Sequence, residues 1–222
     1  MNFTSSEENY LKAVYHLQAD ESTVTTNALA QKLNTRPASV TDMMKKLDAK
    51  KLLNYTPYYG FHLTDQGKKA ALHIIRRHRL WEVFLSQKLG FAWDEVHGLA
   101  EELEHVSSKK LIDRLDAYLG HPNFDPHGDP IPDSRGRVKS DAKITLDKLP
   151  LHQPATVTRV TNQSPEMLEL LAHKNIGIGT KLEVKKFFPF DNSYEVRLKQ
   201  NLLITISEPL AKHIFVVYEP EQ

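Results

Sequence analysis

Apolar residues recur at helical spacing through the first two thirds of the chain and mostly alternate with polar residues in the last third. A first helix is predicted from Ser5 to about Leu17, because one of its faces would carry Tyr10, Leu11, Val14, Tyr15 and Leu17. A short helix over residues 25–33 and a longer one that ends near Lys51 follow. Pro37 suits the first turn of this longer helix, where a backbone N–H has no partner within the helix.

Two short strands with a tight turn between them are predicted after the third helix, over residues 52–56 and 61–64. Three more helices follow, because apolar residues again recur every three or four positions. Their bounds are about 65–89, 94–106 and 108–119, with Thr64 or Asp65 capping the first and Ser107 or Ser108 opening the last.

The pattern changes at residue 120. Up to about residue 148, prolines, glycines and aspartates replace the helical periodicity and indicate a linker or irregular loop. From Ala155 the alternation is typical of strands, and one short helix over residues 165–173 interrupts it. About 70 residues with four or five strands fit a small barrel. The predicted fold class is therefore mainly α with a β C-terminal part.

The composition limits the chemistry that is open to this chain. It has 222 residues, no cysteine and a formal net charge of +1. Without thiols there are no disulfides or thiolate metal sites, so a metal must be held by nitrogen and oxygen ligands. The polar N-terminus has no secretory signal, and no apolar run reaches the ~18 residues of a membrane span, so we expect a cytoplasmic protein without a membrane partner.

The predicted order of helix, helix, turn, helix and two-stranded hairpin is that of a winged helix-turn-helix, whose second paired helix can enter the major groove of DNA. Residues 36–51 carry a local charge of +3 in a chain that is otherwise nearly neutral. We predict that double-stranded DNA is contacted by Arg36, Pro37, Ser39, Thr41, Asp42, Lys45, Lys46 and, from the hairpin tip, Tyr59. The alternative is a protein-interaction or purely structural module.

Histidines and glutamates recur at helical spacing on two of the predicted helices. They are His78 and Glu82 on the first, and His97, Glu101, Glu104 and His105 on the second. The four on the second helix fall within a stripe of about 100°. Imidazole and carboxylate groups that converge from two helices can bind a divalent cation, and a set without sulfur favours Mn²⁺ or Fe²⁺. Alternatively these are ordinary polar residues, with Glu101 and Glu104 paired to Lys109 or Arg79.

Four segments are similar to motifs of one protein family: residues 7–15 (EENYLKAVY), 77–82 (RHRLWE), 96–106 and 129–132 (DPIP). On these residues the chain resembles the diphtheria-toxin-repressor family of iron- and manganese-dependent bacterial regulators, over nearly its whole length. The resemblance implies a winged-helix DNA-binding domain at 1–73, a helical metal-binding and dimerisation domain with linker at 74–147, and an SH3-like small β-barrel, of the type shared with ferrous-transport accessory proteins, at 148–222.

The resemblance also implies a primary metal site, formed by Asn9, Glu101, Glu104 and His105. Glu101 favours Mn²⁺, because the iron-type members have a cysteine there; Fe²⁺ is the alternative, and other divalent transition metals can substitute in vitro. Two positions depart from the family pattern. Asn9 stands where Asp or Met is usual, and Lys12 stands where two-metal manganese regulators have Glu. An ammonium group cannot ligate a metal, so Lys12 argues against that binuclear arrangement.

For an ancillary site the resemblance leaves two ligand sets open. One set consists of His78, Glu82, His97, Gln163 and Glu166. The other combines Glu82 with Asp125 and His127, which stand where some manganese regulators have a Cys-Pro-His segment in the linker, and with an acidic residue of the last domain. An ordinary polar loop is the alternative interpretation of Asp125 and His127.

We therefore predict a metal-dependent repressor and not an enzyme. The resemblance implies that it acts as a homodimer and controls metal-uptake genes, and two-fold symmetry of the dimer predicts a pseudo-palindromic operator. An iron-specific regulator of the same family and a winged-helix regulator that answers a small organic ligand are the alternatives. A metallohydrolase is disfavoured, because the chain has no H-E-x-x-H pattern on a helix and no nucleophile elbow.

Overall fold

A computed structural model of the chain describes residues 3–20, 23–56, 59–106, 108–138, 144–161 and 163–218. The chain divides into two compact units, and helices of the middle region contribute residues to both. The first unit consists of Met1–His78, Glu101–Arg114 and Pro132–Val138, and the second of Arg79–Ala100, Leu115–Ile131 and Lys139–Gln222. Within the described ranges, no helix is both long and apolar enough to cross a bilayer.

The first unit contains the predicted winged helix-turn-helix. Its elements are α1 (Ser5–Asp20), α2 (Thr26–Lys32), α3 (Pro37–Ala49), β1 (Leu53–Thr56), β2 (Gly60–Leu63) and the first half of α4 (Asp65–Leu89). The side chain of Thr25 caps α2 by accepting from the N–H of Ala28, and Pro37 occupies the first turn of α3, as predicted. β1 and β2 pair antiparallel, with Leu53 opposite Leu63.

One apolar core holds this unit together, because each element places its periodic apolar residues on the inward face. Fully buried members come from α1, α2, α3 and the wing, among them Leu11, Leu29, Leu47 and Phe61. The wing is joined to the segment before α2, where Val24 and Phe61 exchange two backbone hydrogen bonds of 3.0 Å. The position of α3 is therefore coupled by packing to α1.

The next helices are shorter than the sequence pattern predicts. α5 spans Val96–Leu103 and α6 spans Lys109–Tyr118, whereas the periodicity predicted a helix to about Val106. The N–H of Val106 bonds to the carbonyl of Leu103 at 3.1 Å, which tightens the last turn and ends the helix. Glu104 and His105 consequently lie in a turn. Ser107, one of the two predicted helix starts, lies outside the described residues.

The second unit contains a six-stranded antiparallel sheet with the order β3-β8-β4-β5-β6-β7. The strands are β3 (Ile144–Thr145), β4 (Pro154–Val160), β5 (Lys181–Phe188), β6 (Ser193–Leu198), β7 (Leu203–Ile206) and β8 (Ile214–Val217). The helices α7 (Pro165–His173) and α8 (Glu208–Ala211) cover its core. The predicted fold class is confirmed, with six strands instead of four or five, because β3 has only two residues and lies in the predicted linker.

Candidate metal centres and nucleic-acid interface

The first cluster of ionisable groups surrounds Glu104, directly after α5. The side chain of Glu104 is fully buried, and its Oε1 and Oε2 accept hydrogen bonds of 2.7 and 2.8 Å from Nζ of Lys12 on α1. Nδ1 of His78 on α4 lies 2.7 Å from Oε2. Burial by itself would raise the pKa of Glu104, but the hydrogen bond from His78 and the charge of Lys12 outweigh it, so the pKa is lowered.

Arg77 connects this cluster to the beginning of α1. Its Nε donates to the backbone carbonyl of Glu104 at 2.6 Å, and its Nη2 donates to Oε1 of Glu8 at 2.6 Å. The other carboxylate oxygen of Glu8 lies 2.7 Å from Nδ1 of His105. Glu8 is almost fully buried. Acidic and imidazole groups from α1, α4 and the turn after α5 are thus gathered in one network within the first unit.

The four predicted primary ligands are only partly brought together. Glu101 is half-exposed, and its carboxylate lies 3.5 Å from Nζ of Lys12. Among the described residues, the donor atoms of Glu101, Glu104 and His105 do not form a group within 4.8 Å of one another. Asn9 is exposed and lines an open cavity of about 540 Å³ beside α3 instead.

Glu8, which precedes Asn9 in the chain, is the α1 residue that contacts His105. Spacing along α1 does not separate Glu8 from Asn9. Glu8 and Asn9 lie four and three positions before Lys12, and both spacings place residues on one face of a helix. Lys12 contacts Glu104, and that face of α1 is therefore the one directed at the cluster.

A second cluster, in the second unit, combines a helical glutamate with the loop that follows α6. One donor atom each of Glu82, Asp125 and His127 lies within 4.8 Å of the other two. All three side chains are buried, Glu82 and His127 completely. Buried acids and imidazoles at this spacing are a common arrangement for a divalent cation.

The hydrogen bonds of His127 leave one ring nitrogen directed at this cluster. Its Nε2 lies 2.7 Å from the carbonyl oxygen of Trp93, and a carbonyl only accepts, so Nε2 carries the proton. Nδ1 therefore has a lone pair, lies 3.6 Å from Oε1 of Glu82 and has no hydrogen-bond partner among the described residues. Burial lowers the pKa of His127, which favours the neutral imidazole. A neutral ring whose far nitrogen is fixed by a carbonyl is typical of metal-ligating histidine.

Asp125 is oriented in the same manner. Its Oδ1 accepts hydrogen bonds of 2.9 Å from the N–H groups of His127 and Asp129. Its Oδ2 makes no hydrogen bond within the described ranges and lies 3.5 Å from Nε of Arg79. Burial, together with the charge of Glu82, raises the pKa of Asp125 well above its usual value. Two buried acids repel each other when both are charged, whereas together with an unprotonated ring nitrogen they form a suitable ligand set for a hard dication.

The remaining ancillary candidates differ in their surroundings. Nδ1 of His97 lies 3.1 Å from Oε1 of Glu82. Gln163 donates to Asp129 at 2.8 Å, and Glu166 is exposed in the first turn of α7. His78 belongs to the first unit, where it contacts Glu104.

Gly128 fixes the loop that carries Asp125 and His127 against β4. Its φ is +82°, and a Cβ at this position would lie 1.9 Å from the carbonyl oxygen of Thr158, a backbone atom. The N–H of Val160 also bonds to the carbonyl of His127 at 3.0 Å. We expect Gly128→Ala to lower the free energy of unfolding of this unit by roughly 2–5 kcal/mol, from left-handed backbone strain of ~1–2 and forced displacement of ~1–3. Urea denaturation measures the change.

Gly179→Ala is the matched control for this substitution. Gly179 lies before β5, has φ +84°, and an added Cβ would meet nothing within 4 Å. It therefore carries the backbone strain without the clash, and we expect it to cost only about 1–2 kcal/mol. Equal losses in the two variants would contradict the close approach of the loop to β4.

The predicted DNA contacts lie on α3, at its N-cap and on the wing. Arg36, Pro37, Ser39, Asp42, Lys45 and Lys46 are exposed, and Tyr59 in the hairpin turn is 80% exposed. Thr41 is half-buried and its hydroxyl donates to the carbonyl of Pro37. Lys46 also contacts Glu7, a buried residue of α1, at 2.9 Å. Burial would raise the pKa of Glu7, but hydrogen bonds from Lys50 and Lys46 outweigh it and lower the pKa to about 2.

Three family models match consecutive parts of the chain. They are described as "Iron dependent repressor, N-terminal DNA binding domain" over residues 2–61, "Iron dependent repressor, metal binding and dimerisation domain" over 64–133, and "FeoA domain" over 144–218. The matched ranges correspond to the winged helix, the middle helices and the C-terminal sheet.

Curated relatives carry names of the same kind. The chain is similar to the HTH-type transcriptional regulator MntR of Oceanobacillus iheyensis, with 37% identity over 112 residues, which are 50% of this chain and 76% of the relative. It is also similar to the iron-dependent repressor IdeR of Mycobacterium leprae, with 28% identity over 187 residues, 80% of this chain and 81% of the relative.

Solved structures match over nearly the whole chain. One is described as a manganese-dependent transcriptional repressor complex with manganese; it has a TM-score of 0.88 and 34% identity, and the match covers 96% of this chain and 100% of that one. The structure of ScaR with bound Cd²⁺ has a TM-score of 0.83 and 33% identity, with 95% and 98% covered.

Proposed function

The chain belongs to the iron-dependent repressor family, and from that membership we propose that it is a metal-dependent transcriptional repressor that binds operator DNA as a homodimer. Its relatives are named as transcriptional regulators, and we propose a regulatory role without catalysis for this chain as well. We assign DNA binding to residues 1–73, metal binding and dimerisation to 74–147, and an SH3-like domain to 148–222.

One observation carries this proposal: groups able to hold a dication are built into the same compact unit as the winged helix. Glu104 and His105 reach α1 through Lys12 and Glu8. α1 in turn shares its apolar core with α3, the helix that carries the predicted DNA contacts. A change in the contacts of Glu104 and His105 therefore changes the packing of α1 against α3, the DNA-facing helix.

We propose two metal centres in each chain. The primary centre uses Glu104 and His105 with Glu101, and a residue in the first turns of α1: Glu8, which contacts His105, or Asn9, which the family pattern implies. The second centre uses Glu82, Asp125 and His127. A dication at either centre would neutralise carboxylates that otherwise depend on lysine, arginine or histidine.

Mn²⁺ is the metal that we propose, with Fe²⁺ as the alternative. Both centres offer carboxylate oxygen and imidazole nitrogen, and the chain has no sulfur ligand from cysteine. Ligand sets rich in hard oxygen donors suit Mn²⁺. The order of intrinsic affinities alone favours the later first-row metals, so the geometry of the site and the availability of each metal complete the selection. Relatives named for manganese and for iron both occur among the matches.

Metal and operator binding are coupled in this proposal. If metal raises the affinity for the operator, the operator must raise the affinity for metal by the same factor. A homodimer with two-fold symmetry presents two α3 helices and therefore favours a pseudo-palindromic operator. We propose that the protein acts in the cytoplasm and that metal-uptake genes are the targets.

The test is a DNA-binding assay across a panel of metals. Operator duplexes are selected from fragmented genomic DNA with the Mn²⁺-loaded chain, and their affinity is then measured by fluorescence anisotropy for metal-free, Mn²⁺-loaded and anaerobically Fe²⁺-loaded protein. We expect metal to raise the affinity roughly 5- to 150-fold. A response to Fe²⁺ alone would identify an iron-specific regulator. Equal operator affinities in all states, with no metal binding by calorimetry, would instead favour a regulator that responds to an organic ligand.

A further inference from the structure

Two consecutive acids in the first turn of α1 are directed at different partners. Glu7 and Glu8 are both acidic first-turn residues and both are buried. Glu8 contacts Arg77 and His105. Glu7 contacts Lys46 and Lys50 at the C-terminal end of α3. Neighbouring residues on a helix point about 100° apart, so one short turn can engage both the metal-binding network and the DNA-facing helix.

The two carboxylate oxygens of Glu7 contact different groups. Oε2 accepts a hydrogen bond of 3.1 Å from the backbone N–H of Thr4, while Oγ1 of Thr4 accepts one of 3.3 Å from the N–H of Glu7. This reciprocal pair is a capping box that starts α1. Oε1 lies 2.6 Å from Nζ of Lys50 and 2.9 Å from Nζ of Lys46. The beginning of α1 and the position of both lysines are therefore tied to one side chain.

The two lysines are half-exposed, although their ammonium groups meet a buried acid. Their side chains retain exposed fractions of 52% for Lys46 and 36% for Lys50, whereas that of Glu7 has none. Long basic side chains at the edge of a DNA-facing helix are the groups that bind phosphates without regard to sequence. A carboxylate that already neutralises them competes with phosphate for the same donors.

We propose that Glu7 is an internal competitor of DNA phosphate, which holds Lys46 and Lys50 and so limits non-specific DNA binding. This inference rests on the proposed function and adds an autoinhibitory contact to it. Because Glu7 adjoins Glu8 in the chain, a shift in how Glu8 is held also moves Glu7. The metal-binding network and the two lysines are thus linked through one turn of helix.

Glu7→Gln tests this inference with little disturbance of α1, because glutamine also serves in a capping box. The probe is a labelled duplex of arbitrary sequence, so that no operator needs to be known. For the metal-free full-length chain we expect the affinity to rise roughly 5- to 30-fold near physiological salt, equivalent to one or two additional phosphate contacts. The slope of log affinity against log salt should steepen by about 1–2.

Asp48→Asn is the matched control. Asp48 lies on α3, the helix that also carries Lys46. Its Oδ1 accepts from the N–H of Tyr55, a hydrogen bond that an asparagine oxygen can also accept. The substitution changes the net charge by the same amount without touching either lysine. We expect a rise of less than about 3-fold from the general charge effect. A rise equal to that of Glu7→Gln would overturn the proposal.

A double-mutant cycle with Lys50→Gln and Lys46→Gln separates masking from a general change in the fold. If Glu7 acts by occupying the two lysines, Glu7→Gln should lose most of its effect when both are already glutamine. An undiminished effect in that background would contradict the proposal, as would an unchanged metal-free affinity in a Glu7→Gln variant with native circular dichroism. Failure of the proposed function is distinct, since it would appear as a wild-type chain that does not respond to metal.

Discussion

Glu104→Gln is expected to abolish the metal-dependent rise in DNA affinity. The substitution keeps the size of the side chain but removes the charge of a fully buried carboxylate that meets Lys12 and His78. The ratio of metal-loaded to metal-free affinity should fall from roughly 5- to 150-fold to about 1. Fluorescence anisotropy with the selected operator, with and without Mn²⁺, measures that ratio.

A nearby exposed glutamate provides the control for this experiment. Glu102 is exposed, lies two positions away, and Glu102→Gln makes the same change of charge. We expect this variant to retain the metal response. Loss of the response in both variants would point to general charge and not to the cluster.

A second variant keeps the experiment decisive if the buried glutamine disturbs folding. Removing one partner of a buried ion pair can cost about 3–5 kcal/mol, because the remaining charge is left uncompensated. His105 is less buried, with 22% of its side chain exposed, so His105→Gln carries less of this risk. A full metal response in a folded His105→Gln or Glu104→Gln chain would contradict the assignment of the primary centre.

The winged helix could be predicted from sequence because its determinants are local. Apolar spacing on α1 and α3, Pro37 in the first turn and a short hairpin all act within a few residues. The C-terminal sheet could be predicted in kind, because alternation indicates strands. The number of its strands could not be predicted, because β3 has only two residues and therefore no alternating pattern.

The candidate metal centres were harder to predict, because tertiary contacts decide which donors meet. The spacing of Glu101, Glu104 and His105 continues a helical period, but α5 ends at Leu103. The carbonyl of Glu104 accepts a hydrogen bond from Arg77 and not from a later residue of the same helix. On α1 the choice between Glu8 and Asn9 is a rotation of about 100°. Only the packing of α1 against its neighbours fixes that rotation.

The loop with Asp125 and His127 shows a different limit. It has no periodicity, and only the family resemblance indicated it as one of two ancillary sets. The structure gathers Glu82, Asp125 and His127, because Gly128 permits contact with β4 and the carbonyl of Trp93 fixes the ring of His127. None of these contacts can be read from spacing along the chain.

Asp125→Asn is expected to change the stability of the metal-free and metal-loaded chain in opposite directions. Without metal, the buried carboxylate of Asp125 lies close to that of Glu82, and removing its charge relieves repulsion and the cost of burial. Asparagine retains the two hydrogen bonds that Oδ1 accepts from the backbone. We therefore expect a higher Tm for the metal-free variant than for the metal-free wild type.

With metal the order should reverse. A ligand at a hundredfold excess over its Kd stabilises the folded state by about 2.7 kcal/mol, and the variant should lose most of that contribution from the second centre. Calorimetric titration with Mn²⁺ should give about two ions per chain for the wild type and about one for the variant, while the response of DNA binding through Glu104 and His105 persists. Differential scanning calorimetry with and without Mn²⁺ measures the crossing of the two Tm values.

Asp191→Asn is the matched control for the second centre. Oδ1 of Asp191 likewise accepts from a backbone N–H two residues on, that of Ser193, but Asp191 is exposed and belongs to the turn between β5 and β6. We expect this variant to keep the wild-type metal stoichiometry and the wild-type gain in Tm with metal. If Asp125→Asn behaves in the same way, the buried acids are a structural pair and the second centre does not bind metal, because a loss of one ligand charge could not otherwise leave both quantities unchanged.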